Sequence, residues 1–125
     1  MYTLALRRSF EARHHLIGGD WGAENEPHTH PYRVEVRLEG ETLNEHGYLI
    51  DLVEVESKLD EILAAYRGAD LNVLPDFAGL NPSLESFARI FCTRLADSLD
   101  GAHLLAVIVQ LWESESAWAS YRLET

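Results

Sequence analysis

From Tyr2 onward, apolar and polar residues alternate with the period of a strand that buries one face. Phe10, Ala12 and His14 fall in phase, while Ser9, Glu11, Arg13 and His15 take the opposite parity. The same alternation returns with Tyr32, Val34, Val36 and Leu38 on one face and Arg33, Glu35, Arg37 and Glu39 on the other. Residues 2–14 and 31–39 therefore read as a first pair of strands, joined by a loop containing Gly18-Gly19-Asp20-Trp21-Gly22. The period then changes. Leu52, Val55, Leu59, Ile62, Leu63 and Tyr66 recur at helical spacing, with Asp51 and Glu54 placed as a capping box and Gly68 as a stop. A second helix opens around Asn81-Pro82-Ser83, with Pro82 suited to its first turn. Leu84, Phe87, Ala88, Phe91, Cys92, Leu95 and Leu99 mark its buried stripe, and Asp100-Gly101 ends it. Leu104 to Trp112 is apolar on both parities, which predicts a strand buried on two sides. Glu113-Ser114-Glu115-Ser116 supplies a turn, and Ala117 to Leu123 is the last strand. The order strand, strand, helix, helix, strand, strand describes a single α+β domain over residues 1–125.

Candidate chemistry starts from the histidines. His28-Thr29-His30 projects both imidazoles to one side of a strand, extending the inward face that Tyr32 to Leu38 define. His14 is the inward histidine of the first strand, and His15 looks the other way unless a bulge shifts the register. Three neutral imidazoles on facing inner surfaces match a divalent metal held by three protein ligands with a coordination position left open. The lone cysteine, Cys92, lies on the apolar stripe of the second helix and reads as a small buried hydrophobe.

Composition narrows the partners. A formal net charge of -11 disfavours nucleic acid or anionic lipid, but leaves room for an anionic small molecule where a metal and one or two arginines make a local positive pocket. No segment reads as a signal peptide or membrane span, and a single cysteine suits a reducing compartment, so the expected location is the cytoplasm. Gly22-x5-His28-x-His30-x4-Glu35 also fits the opening of a cupin metal motif. Glu35 has the wrong parity to join the histidines, two long helices do not suit a small all-β barrel, and no second cupin motif follows.

The motifs, taken in order, resemble the 6-pyruvoyltetrahydropterin synthase / 6-carboxytetrahydropterin synthase family across nearly the whole chain. Phe10-Glu11-Ala12-Arg13-His14-His15-Leu16 is similar to the family's F-x-A-A-H-x-L, and His28-Thr29-His30-Pro31-Tyr32 to its H-G-H-x-Y/F. Gly47-Tyr48-Leu49-Ile50-Asp51-Leu52 resembles the entry into the family's first helix, and Asn81-Pro82-Ser83-Leu84-Glu85 the N-P-T-x-E at its second. Glu113, ahead of Tyr121, matches the glutamate that grips the pterin ring. The resemblance implies a T-fold, ββααββ, whose four-stranded antiparallel sheet carries two helices on one face and assembles into an oligomeric β-barrel. It implies Zn2+ on His14, His28 and His30, a pterin substrate bound through Glu113 and Ser83, and a homotrimer or a homohexamer of two stacked trimers.

Two departures bear on the chemistry. The family's usual catalytic cysteine, four residues before H-G-H, is here Glu24, and the usual Asp-His pair is here Asp70 followed by Leu71. A related branch with Glu in place of Cys is associated with cleaving the side chain of dihydroneopterin triphosphate to a 6-hydroxymethylpterin. The resemblance thus offers Glu24 and Asp70 as catalytic residues of a zinc-dependent lyase. A carboxylate can act as a base, although it lacks the nucleophilicity of a thiolate. The alternative is a zinc- and pterin-binding homologue that has lost the Cys/His machinery. Glu113 has a second argument behind it, since a carboxylate closing a doubly buried strand needs a partner, and the 2-amino and ring N–H of a pterin would satisfy both oxygens.

Overall fold

The computed structural model describes residues 1–99 and 103–125, so the expected helix end at Asp100-Gly101 lies outside the described residues. Four strands, β1 (Tyr2–His14), β2 (His28–Gly40), β3 (Ala106–Trp112) and β4 (Trp118–Glu124), form one antiparallel sheet in the order β1-β2-β3-β4. Helices α1 (Leu52–Tyr66) and α2 (Leu84–Ser98) come between β2 and β3 in the chain. Helix α2 packs on β3 and β4, and α1 lies beside it towards β1.

Burial along β1 follows parity: Leu6, Phe10, Ala12 and His14 are buried, while Arg7, Ser9, Glu11 and Arg13 are exposed. Pairing then fixes the contacts across the core, with Leu6 opposite Val36 and Phe10 opposite Tyr32. Arg8 shares the inner parity without entering the core. It reaches the exposed side of α1, with its Nε 3.1 Å from Asp60 Oδ1 and its Nη2 3.6 Å from Glu56 Oε2.

Phe87 of α2 is the hub of the core. Its ring centroid lies 5.9 Å from Phe10, 5.2 Å from Tyr32, 5.1 Å from Tyr66, 5.5 Å from Phe77 and 6.2 Å from Phe91. The first three contacts include edge-on geometries, which the aromatic quadrupole favours.

The outer face of the sheet is buried in part without a second layer. Ile108 and Gln110 of β3 are buried there, with Arg37 and Arg122 paired opposite Ile108 on the neighbouring strands. Glu35 is only 8% exposed and sits between Arg7 at 2.9 Å and Arg37 at 3.3 Å; Arg37 also donates to Gln110 Oε1 at 2.9 Å. The two-sided burial expected of this strand is therefore met by apolar packing inside and an ion-pair lattice outside.

The helix ends differ from expectation in detail. Asp51 caps α1, but its carboxylate accepts from Val53 N–H, and no Glu54 side-chain bond closes a capping box among the described residues. Leu52, at the first helical position, is exposed rather than buried because the stripe only turns inward at Val55. Ser83 is the cap of α2, accepting from Ser86 N–H at 3.1 Å, so Pro82 precedes the helix instead of occupying its first turn. Ile90 joins the buried side of α2.

At the end of α1 the chain turns through Gly68 at φ +72°, a conformation that favours glycine. Gly68 N–H then donates to Glu11 O at 2.7 Å, and Arg13 N–H to Ala69 O at 2.8 Å. This connector covers the C-terminal end of β1's free edge.

Because Phe87 touches five other rings and is fully buried, Phe87→Ala is expected to cost about 3–5 kcal/mol. Urea denaturation would measure this as a lowered midpoint with an unchanged slope.

Candidate metal centre and its cleft

Two strand ends carry the three inward histidines. Register sets His14 opposite His28 and Ala12 opposite His30, so the three rings converge where β1 finishes and β2 begins. One ring nitrogen from each lies within 4.8 Å of the other two. The His14 and His28 Nε2 atoms are 2.9 Å apart, and the ring centroids of His14 and His30 are 5.5 Å apart.

Each ring is held from behind. His28 Nδ1 donates to the Glu26 carbonyl at 2.9 Å, and since a carbonyl only accepts, neutral His28 keeps its lone pair on Nε2. His30 Nε2 donates to the Glu113 carbonyl at 2.8 Å, which also ties the end of β3 to the histidines. His14 Nδ1 lies 2.9 Å from the Tyr32 hydroxyl, a group that can donate to it or accept from it as the tautomer requires. Burial, reinforced by the neighbouring His28 and His30, pushes the His14 pKa down to about 4, with Glu24 acting in the opposite sense. His14 is therefore neutral at physiological pH. Burial also raises the Tyr32 phenol above its ordinary range, with Glu113 and Glu24 adding to the effect, so it stays protonated.

Closely spaced imidazole nitrogens, each on a ring with an outer partner that fixes its orientation, are the donor set a borderline divalent cation prefers. His14, His28 and His30 fit such an ion. His15, on the opposite parity, does not join them.

A cleft of about 490 Å³ opens beside this trio, within the usual range of small-molecule sites at about 300–1,000 Å³. His14, Glu24, Ser83 and Glu113 all line it. Glu24 is exposed, on a short 3-10 turn spanning Gly22–Asn25. Glu113 is half-buried, just beyond β3. Ser83 contributes from the head of α2, where its hydroxyl oxygen already caps the helix. Asp70 lies apart from this lining: its carboxylate caps another 3-10 turn, Leu71–Val73, accepting from Asn72 N–H at 3.1 Å. Leu71, the residue after it, is fully buried in the core. A larger cleft of about 710 Å³, including Ser9, Arg33, Arg67 and Trp112, shares Glu113 but has no histidine in its wall.

Sequence reasoning missed what holds the chain after His14. Three successive amides are each taken by a different segment. His15 N–H donates to Asn72 Oδ1 at 2.9 Å, Leu16 N–H to the Glu24 carbonyl at 2.8 Å, and Ile17 N–H to Asn81 Oδ1 at 3.0 Å. Asn25 adds three side-chain bonds, to Trp21 N–H and to the Leu16 and Gly19 carbonyls. The available signal was asparagine placed in loops, where its amide can replace missing backbone partners.

The sequence matches the 6-pyruvoyl tetrahydropterin synthase family over residues 3–124. The chain belongs to that family. Its fold is the family's ββααββ T-fold. 6-Pyruvoyl tetrahydropterin synthase from Caenorhabditis elegans superposes with a TM-score of 0.83 at 21% identity, covering 98% of this chain and 96% of that one. The Plasmodium vivax 6-pyruvoyltetrahydropterin synthase, in a variant whose catalytic glutamate is changed to alanine, gives 0.82 at 17% identity, covering 99% and 98%. The Plasmodium falciparum synthase gives 0.79 at 16%, again covering 99% and 98%. No curated protein matches the chain in sequence at a significant level.

Tyr32→Phe is expected to preserve the fold while leaving the buried His14 Nδ1 without its partner. A loss of about 1–3 kcal/mol should follow, read from chemical denaturation of the metal-free protein.

Proposed function

We propose that the protein is a zinc-dependent pterin-converting lyase acting on dihydroneopterin triphosphate or a related pterin. The observation that carries this reading is the convergence of His14, Glu24 and Glu113 on one cleft. His14, His28 and His30 hold the ion. When bound, zinc would supply Lewis acidity towards side-chain oxygens of the substrate, making a hydroxyl proton there more acidic. Glu24 would take that hydroxyl proton from the lip of the cleft. Glu113 accepts hydrogen bonds from the 2-amino and ring N–H groups of the pterin, and Ser83 lines the wall beside them. A glutamate is also the catalytic residue changed in the vivax synthase variant, which supports a carboxylate in this role. The product in view is a 6-hydroxymethylpterin. With the second side-chain hydroxyl deprotonated, the bond between the first and second side-chain carbons breaks, and the outer carbons leave as a phosphorylated two-carbon aldehyde. The carbon left on the ring takes up a proton to become the hydroxymethyl group.

The burial of Leu71 favours a second reading. A core leucine at the position of the usual histidine leaves no relay there, which suits a homologue that binds zinc and pterin without turnover. Incubating the zinc-loaded protein with dihydroneopterin triphosphate, with and without chelator, and identifying the product separates the two. Chelator-sensitive formation of a 6-hydroxymethylpterin supports the lyase; binding without product supports the second reading.

Three further outcomes are expected. His28→Ala should lower bound zinc sharply, whereas His15→Ala should leave about one zinc per chain, as measured by elemental analysis; equal content in both would break the parity assignment. Glu24→Gln should retain zinc and pterin but lose about 10²–10⁴ in rate, because the amide cannot take the proton. Glu113→Gln should instead weaken pterin binding, since its amide opposes a donor with a donor.

The open edges of the sheet support a reading of assembly between copies. Strand β4 and the first part of β1 leave rows of backbone donors and acceptors at the two edges. Joining edges between copies would close a barrel and place the clefts at subunit junctions, from where Asp70 of one copy could serve the cleft of another. Sedimentation at micromolar concentration should show a trimer or a hexamer, and a purely monomeric boundary would count against the assembly.

A further inference from the structure

We propose that Trp21 is a substrate-contacting residue of the histidine cleft, its indole forming the stacking surface for a flat fused heteroaromatic ring. This rests on the pterin reading above. Trp21 is 45% exposed and lines the cleft with His14, Glu24 and Glu113. An indole left in water is a large apolar face without a partner, and here that face is on the wall of the candidate site.

The position is built by its surroundings. The Trp21 ring lies directly over Gly19, where an added Cβ would come within 2.7 Å of Cη2, 3.0 Å of Cζ3 and 3.1 Å of Cζ2. Gly19 is not in a left-handed conformation, so the requirement at this position is space for the indole. Trp21 N–H donates to Asn25 Oδ1 at 2.7 Å, and the Asn25 amide donates to the Gly19 and Leu16 carbonyls. The same asparagine therefore fixes the backbone of the loop that carries both the indole and Glu24.

The chemistry calls for such a group. A carboxylate at Glu113 recognises one edge of a pterin, whereas most of a bicyclic ring's area lies on its faces. Stacking on an aromatic side chain typically contributes roughly ten- to hundredfold in affinity for a nucleobase-like ring. Trp118 also lines the cleft, but it opens β4 opposite Trp112 on the outer face of the sheet, so Trp21 is assigned the role.

The test titrates neopterin into zinc-loaded protein, reading affinity by calorimetry and indole quenching by fluorescence. Trp21→Ala should weaken binding about tenfold or more, with little change in melting temperature, and Trp21→Phe should recover most of it. Gly19→Val, which keeps the indole but displaces it, should weaken binding as well. Trp21→Ala within twofold of wild type, with Glu113→Gln having lost affinity, overturns the assignment and leaves the pterin reading standing. The same follows if Trp118→Ala alone weakens binding. Failure of the wild-type protein to bind neopterin overturns both.

Discussion

Everything at the candidate site depends on the register of one strand pair. β1 and β2 run antiparallel over thirteen residues each, with Tyr2 opposite Gly40 and His14 opposite His28. A slip of one residue would send every side chain of one strand to the wrong face, moving core residues to water along with the imidazole. The histidine geometry is thus enforced by the burial of Leu6, Phe10, Val34, Val36 and Leu38, which have no chemistry of their own. Hydrophobic energy distributed along the pair sets ring positions at one end of it.

Tyr32 transmits that order to the metal centre. Its ring stacks on Phe10 at 5.3 Å and meets Phe87 edge-on at 5.2 Å, while its hydroxyl reaches His14. A well-packed interior tolerates little displacement of such a ring, so the core restricts the orientation of His14 directly. Orientation of this kind determines whether three imidazoles offer lone pairs to a common point or to three separate ones.

The strands, both helices and the histidine register were legible in the sequence because each leaves a periodic trace. Alternation assigned His14 to the inner face of β1, and the structure keeps it there, while His15 lies just past the strand's end, half-buried and outside the histidine cluster. The non-periodic parts were less accessible. The turns at Gly22–Asn25 and Leu71–Val73 are organised locally by the side chains of Asn25 and Asp70, Pro75–Phe77 begins without a side-chain cap, and Asn72 reaches across to His15; side-chain-to-backbone bonds of this kind have no period. Pro82 stands two positions ahead of the first helical residue, Leu84, because the Ser83 hydroxyl, not the proline ring, decides where α2 starts. Glu35 was readable as outward-facing but not as buried, since its cover comes from Arg7 and Arg37 on two strands. At the cleft, the sequence supplied Glu24, Ser83 and Glu113 by motif; their common placement needed the tertiary connection from His30 to the Glu113 carbonyl and from Leu16 to the Glu24 carbonyl.

The connector after α1 has a consequence for how copies of the chain could meet. By bonding to Glu11 and Arg13, residues 68 and 69 occupy the far end of β1's edge and, among the described residues, leave Tyr2 to Ser9 open. An incoming strand therefore finds a slot about as long as the seven-residue β4, with a stop at one end. A slot of defined length acts as a ruler: it selects one alignment among those that backbone pairing alone would accept. The same stop would keep a neighbouring strand from zipping shut the histidine end of β1.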